Sequence, residues 1–229
     1  MKILAVDTAL SAVSACVLDE GSDSPDAIET LAMARGHAEA LLPLIGRVVA
    51  CVEGGFASLG RVAVTVGPGS FTGLRTGIAA ARAIGIACKT PVAGVSTFAA
   101  LAAPLILEQK PGLVATAIDA GRGNVFFAAF GRDGRAVLPP RIAPAREAVR
   151  ALGTGPVRLT GSGAPLLATE AQASGTEISI ARENAGLDIV FVAKLGLLAD
   201  PALTPPRPFY LAPPGAKTPE AAQLQPAAP

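Results

Sequence analysis

Apolar and polar positions alternate along the first part of the chain, then recur at helical spacing, and the whole cycle occurs twice. Residues 2–7 (KILAVD) form a β-type run that ends in Asp7. Residues 11–18 and 27–33 read as two further strands, separated by turn material at 21–25. Between 38 and 52, apolar residues fall at 41, 42, 45, 48, 49 and 52, the spacing of a helix. Pro43 is expected to begin that helix or kink it, because proline lacks the amide that the helix interior needs. Residues 61–66 (RVAVTV) read as a strand and 67–70 as a turn, from which Ser70 caps a helix over 71–88. A short strand at 92–94 and a helix at 96–108 follow.

The pattern then restarts. Residues 112–119 (GLVATAID) again form a strand ending in Asp, and 124–130 pair with it across the turn 120–123. A third, weak strand lies near 135–138, followed by a helix at 144–152, a strand at 157–160 and a helix at 164–172. Both halves therefore show the order β-β-β-α-β-α, which predicts an α/β fold of two mixed sheets flanked by helices. Residues 186–198 read as a last helix. The expected organisation is one subdomain over 1–110, a second over 111–200 that includes this returning helix, and a tail over 201–229. Nine of the 29 tail residues are proline, which predicts extended chain. Phe209, Tyr210 and Leu211 form its one apolar patch and are available to dock on the body.

Composition narrows the function classes. The chain has 229 residues, 51% hydrophobic, with a net charge of +1. That length buries a substantial core. The near-zero charge argues against a basic arm that grips nucleic acid by charge alone. The five lysines are scattered and aromatics amount to 4% with no Trp, so weak, salt-sensitive binding to tRNA is expected of the isolated protein. Cys16, Cys51 and Cys88 lie far apart in apolar runs and, with a single histidine, do not make a zinc set. They read as buried thiols in a reducing compartment. The first apolar run meets Asp7 too soon for a signal segment. The most apolar stretch, 54–107, is broken by Arg61, Arg75, Arg82, Lys89 and Pro91, so no membrane span is expected. A soluble cytoplasmic protein fits these features.

Candidate chemistry is sparse. Gly67–Arg75 (GPGSFTGLR) sits between a strand and a helix, where phosphate loops sit. It lacks the Lys-Ser/Thr of a Walker loop, and its glycines do not match the dinucleotide fingerprint, so a tight strand-to-helix turn explains it as well. His37 has no second histidine, and Ser70 and Ser96 have no relay to activate them. No catalytic or metal-ligating set emerges. Asp7-Thr8, Asp119-Ala120 and Gly161-Ser162-Gly163 would face one cleft in a duplicated fold. They read either as a vestigial nucleotide site or as turn aspartates with a glycine turn.

The two helices at 38–52 and 71–88 stand out. The first has more apolar positions than one face needs. The second carries small residues at 73, 77, 81 and 85, a ridge that permits close approach to the chain's own sheet or to a partner helix. Leu41, Leu42, Ile45, Val49, Gly73, Arg75, Gly77, Ala81 and Gly85 are the expected partner-interface residues. An exposed apolar surface of this kind marks an association site.

The motifs MKILAVDTALSAVSACVL, HAEALLPLI, VTVGPGSFTGLRTGIAAARAIG, PVAGVSTFAALA, IDAGRGNVFF and PFYLAPPGAK occur in an order that resembles the bacterial TsaB (YeaZ) family. The resemblance is strong over residues 1–130 and looser beyond. It implies an actin/Hsp70/sugar-kinase-like fold. It also implies a non-catalytic scaffold or activator in the complex that installs threonylcarbamoyl on adenosine 37 of ANN-decoding tRNAs. The implied partners are the paralogous catalytic subunit TsaD as a heterodimer, the ATPase TsaE through the complex, and tRNA indirectly, with a homodimer when the chain is alone. The implied interface is a four-helix packing of the two helices above. No cofactor is expected beyond weak ATP or ADP binding, or binding at the complex interface.

The catalytic paralogue carries a His-x-x-x-His metal pair after a G-V-N turn. Matching Gly94-Val95-Ser96 to that turn puts Thr97 and Leu101 at the histidine positions, and leucine cannot ligate. Departures from the family motifs fall at Gly121, Asn124, Ser162 and Ala212, and weaken a nucleotide site. The competing expectations are a metal-dependent glycoprotease-like or acyltransferase enzyme, and an ATP-binding sugar-kinase-like enzyme.

Overall fold

A computed structural model describes residues 1–174, 176–181 and 186–211. The first half contains β1 (Lys2–Asp7), β2 (Ala12–Asp19), β3 (Ala27–Ala32), α1 (His37–Ala50), β4 (Leu59–Gly67), α2 (Phe71–Cys88), β5 (Val92–Ser96) and α3 (Thr97–Leu107). The second contains β6 (Leu113–Gly121), β7 (Asn124–Phe130), β8 (Ala136–Pro144), α4 (Ala145–Leu152), β9 (Val157–Thr160), α5 (Ala164–Ser174), β10 (Ile178–Ile180) and α6 (Ile189–Leu198). The sheets have strand orders β3-β2-β1-β4-β5 and β8-β7-β6-β9-β10, which are equivalent in the two halves. In each, two hairpin pairings are antiparallel and two crossover pairings are parallel.

The repeat is thus β-β-β-α-β-α-β-α, one βα step longer than the sequence pattern suggests. The missing strand is β10, only three residues long, with too few positions to show alternation. Strand β8 also runs further than 135–138. Pro139 and Pro140 argue against a strand interior, but β8 is a sheet edge, where a missing amide costs no ladder bond.

The sheets and helices stack in five layers. Helices α1 and α2 cover the outer face of the first sheet through Leu4, Val6, Val13, Val62 and Val64. Helices α3 and α6 fill the space between the sheets, against Ile3, Ala5, Cys16 and Leu18 on one side and Val114, Ile118, Ala128 and Phe130 on the other. Helices α4 and α5 cover the outer face of the second sheet. Because β1 is covered on both faces, successive residues Ile3 to Val6 are all fully buried.

Of the two places expected for Pro43, the structure puts it inside α1, on the exposed side. Two other expectations need correction. Cys51 is exposed and Cys88 half-buried, so only Cys16 is a buried thiol; Cys51 follows the last residue of α1, where Val48, Val49 and Val52 are the buried residues. The small-residue ridge of α2 is turned inward. Gly73, Gly77, Ala81 and Gly85 are buried against the chain's own body. A Cβ on Gly77 would meet Thr8 Oγ1 at 2.4 Å, and one on Gly85 would meet Val92 Cγ2 at 2.3 Å. Leu41, Ile45 and Val49 are buried in the same layer. These seven residues pack the core and cannot meet a partner. The spacing correctly marks a close approach, but the approaching element is the first sheet.

Candidate functional site

Two surfaces were singled out by the sequence, the cleft and the α1/α2 pair. The cleft is a cavity of about 680 Å³, within the roughly 300–1,000 Å³ usual for small-molecule sites. It brings together Asp7 at the end of β1, Gly69-Ser70 at the start of α2, His37 at the start of α1, Asp119 at the end of β6, and Ser162. The duplicated topology is responsible: β1 and β6 occupy the same place in the two sheets and both end at the cleft.

Asp7 is 1% exposed. Its Oδ1 accepts from Thr65 Oγ1 at 2.6 Å and from the Ala9 amide at 3.0 Å. Burial pushes its carboxyl above the ordinary carboxylate value, an effect opposed by those hydrogen bonds and by the charge of His37. His37 Nε2 lies 3.1 Å from the Leu10 carbonyl oxygen. A carbonyl only accepts, so this nitrogen carries the proton. Across the cavity, Asp119 Oδ1 accepts from the Gly121 amide at 2.7 Å, and the Asp119 amide donates to Ser162 Oγ at 3.1 Å.

The remaining expected site residues do structural work. Thr8 is fully buried and donates to the Gly73 carbonyl at 2.7 Å. Gly161, at φ +99°, would bring a Cβ within 2.3 Å of the Ala117 carbonyl, and Gly163 would crowd Ile118 at 3.1 Å. The glycine turn is therefore required by close packing on β6. His37 has no second histidine to mark it in the sequence, and Ser11, Thr30, Phe126 and Leu187, which also line the cavity, belong to no motif. Their only signal is topological, since they lie on four separate segments of the chain.

The charge of the cleft is poorly matched to a polyphosphate. Two carboxylates line it, and among the described residues its lining includes no lysine or arginine. The α2 N-terminus offers amides, but Ser70 Oγ already accepts from Gly73 N at 3.3 Å.

The outward face of α1 and α2 has a different character. Leu42 is 60% exposed and Ile86 81% exposed. Around them lie Pro43, Gly46, Ala79 and Ala83, all exposed. Apart from Arg82, one turn before Ile86, the face is apolar, with side chains small enough for another helix to approach closely. At its edge, Arg75 stacks over Phe71 at 3.8 Å and donates through Nε to Tyr210 Oη at 3.0 Å. The 209–211 patch is thus docked on the body, with the Phe209 amide also donating to Val66 O at 2.7 Å. Ala212 and the rest of the tail lie outside the described residues.

On α3, Thr97 and Leu101 are buried one turn apart. Among the described residues, no group of three or more His, Cys, Asp or Glu side chains converges.

A family model described as TsaD, tRNA N6-adenosine threonylcarbamoyltransferase, matches residues 30–195. The chain belongs to this family, and curated relatives named TsaB are similar to it. It is 32% identical over 133 residues to the tRNA threonylcarbamoyladenosine biosynthesis protein TsaB of Escherichia coli, covering 58% of this chain and 56% of that protein. It is 34% identical over 134 residues to TsaB of Haemophilus influenzae, covering 58% and 55%. The chain thus spans a little over half the length of these curated relatives. YeaZ from Pseudomonas aeruginosa superposes with a TM-score of 0.70 at 22% identity, covering 92% of this chain and 99% of that one. The duplicated α/β architecture is the actin/Hsp70/sugar-kinase-like fold expected from the sequence.

Proposed function

We propose that the chain is a non-catalytic scaffold subunit of the assembly that installs threonylcarbamoyl on N6 of adenosine in tRNA. In this reading it pairs with a TsaD-type catalytic paralogue through the outward face of α1 and α2. The observation that carries it is that face: Leu42 and Ile86 stand exposed among small residues, over helices whose inward sides are fully packed. Two such helices from each subunit make a four-helix interface. The same face, left unpaired, closes on a second copy as a two-fold homodimer. A TsaE-type ATPase joins through the pair, in the cytoplasm.

The paralogue supplies the metal. Thr97 and Leu101 occupy the two positions at which its histidines are expected, and a leucine side chain offers no donor. The chain carries no cofactor of its own, and an adenine nucleotide binds weakly in the cleft or only where the paralogue adds cationic groups. The names of the TsaB relatives support the pathway.

Reconstitution tests the reading. Threonylcarbamoylation of a tRNA transcript is measured with the catalytic paralogue, with and without this chain. The expected result is that modification requires the chain and that the chain alone turns nothing over. Modification that proceeds equally without it, or turnover by the purified chain alone, overturns the proposal.

A further inference from the structure

The net charge of +1 conceals a strong polarity. Acids gather on the β2–β3 hairpin and its flanks, where Asp19, Asp23, Asp26 and Glu29 are paired with Lys2, Lys194 and Arg47. The edge of the second sheet, around β8 and α4, carries arginines: Arg122, Arg132, Arg135, Arg141, Arg146 and Arg150 are all exposed. Arg135 pairs with Asp133 at 3.6 Å, and Arg132 donates to the Gln109 carbonyl at 2.8 Å. Among the described residues, Arg122, Arg141, Arg146 and Arg150 have no carboxylate within ion-pair distance.

The fold gathers these four. The Ala145 amide donates to the Gly123 carbonyl at 3.0 Å, which holds the β6–β7 turn, with Arg122, against the start of α4 beside Arg146. Arg146 and Arg150 are one turn apart on the exposed side of α4, opposite the buried Ala145, Ala148, Val149 and Leu152. Arg141 stands opposite Phe127 in the register, its guanidinium 4.8 Å over that ring, on the side of the sheet that α4 covers. Glu147 is the one acid on α4.

Four guanidinium groups without a carboxylate partner, one of them stacked on Phe127, gain from a polyanion. The arginine fork matches phosphate oxygens in pairs. Strand addition to the open edge of β8 is blocked by Pro139 and Pro140, which have no amide to give. A partner therefore meets side chains, not the strand. We propose that the β8–α4 arginine face docks the phosphate backbone of a folded RNA. This rests on the reading above, in which the assembly acts on tRNA, and it gives the chain a direct share in holding that substrate.

The test is fluorescence anisotropy of a labelled tRNA transcript with the full chain, titrated at several salt concentrations between about 50 and 200 mM. Weak binding is expected, falling steeply with salt. Arg146→Ala/Arg150→Ala should weaken it and lower the slope of log K against log salt by about 1.4–1.8, the loss of two phosphate contacts. Arg207→Ala, the loss of one positive charge at an exposed site elsewhere, should leave the slope unchanged. Both variants must keep the wild-type circular dichroism. The proposal is overturned if tRNA does not bind at the lowest salt or if the double variant binds like wild type. It also fails if Arg207→Ala is as damaging, or if polyglutamate of similar charge binds more tightly than tRNA, which would point to an acidic polypeptide. The assay contains no paralogue, so failure of the pairing proposal leaves its readout intact. Loss of RNA binding likewise leaves the pairing measurable by co-elution.

Discussion

Thr8 and Gly73 hold each other in reciprocal contact. The Thr8 hydroxyl donates to the Gly73 carbonyl at 2.7 Å, and a Cβ added to Gly73 would lie 2.0 Å from the Thr8 carbonyl oxygen. Helix α2 thus sits on the end of β1 with no room for a methyl group. Gly73→Ala should destabilise the fold by about 3 kcal/mol or more, since neither backbone can retreat. Gly46, inside α1 with nothing within 4 Å of its would-be Cβ, is the contrast. Gly46→Ala should stabilise by about 0.5–1 kcal/mol. Thermal melts of the two variants check the pair.

The outward helix face gives an association prediction. Leu42→Glu and Ile86→Glu should each fold normally, because both side chains already face water, yet weaken pairing with the catalytic paralogue at least tenfold. Gel filtration and calorimetry with the paralogue read this. Unchanged affinity in both variants would remove the face from the interface. Gly77→Gln, by contrast, should fail to fold, since the residue is buried against Thr8.

Asp7 makes stability depend on pH. Its folded-state carboxyl titrates above its ordinary value of 3.8 because it is buried. The folded state therefore binds the proton more readily than the unfolded state, and the charged form costs stability at neutral pH. Asn keeps an acceptor for Thr65 and Ala9. Asp7→Asn should raise Tm at pH 7, and the gain should shrink as pH falls from the raised value toward 3.8. A gain independent of pH would refute the burial argument.

The three thiols should separate by access. Cys51 is exposed and Cys88 half-buried, whereas the Cys16 thiol is buried and pushed up to about 12. In native protein, a thiol-reactive chromogen should label Cys51 first and Cys88 more slowly. Cys16 should react only on unfolding, because the thiolate is the reactive form. Mass spectrometry of the labelled peptides identifies the order.

Arg61 clasps the end of α6. Its Nη1 donates to the carbonyls of Gly196, Leu197 and Ala199 at 2.9, 2.9 and 3.0 Å. These are carbonyls that a helix end leaves without amides. Arg61→Met should cost about 2–4 kcal/mol, with urea denaturation as the measure.

The order of strands and helices was legible because alternation and helical spacing are local. Both β6–β7 and β1–β2 announce themselves by an Asp-terminated apolar run and a turn. The direction of a helix face was not legible. In α2, Gly73, Gly77, Ala81 and Gly85 share one side whether a sheet or a partner covers it, and only the position of Thr8, 65 residues earlier, decides. Leu42 stands out as one apolar position too many on α1, whereas Ile86 looks like an ordinary core position until Ile78, Ile84 and Gly85 are seen to fill the inward side of α2. At the cleft, Asp7 and Asp119 could be paired from the repeat. His37, Thr30 and Phe126 reach the same cavity from segments without any shared motif. The arginine face went unread because its members come from a turn, an edge strand and a helix.

Helix α6 has a consequence for how the protein is made. It packs on β1, β2 and β4, and a Cβ on Gly196 would lie 2.4 Å from Ala63 Cβ. When the ribosome has released residues 1–110, every strand of the first sheet exists, but one cover of its inner face has not yet been translated. Ile3, Ala5, Cys16 and Ala63 stay partly bare until Ile189, Val192 and Ala193 arrive. The amino-terminal half therefore waits for the carboxy-terminal helix, and the nascent chain carries an apolar sheet surface through most of its synthesis. A premature stop before residue 189 would spoil the half that was made first.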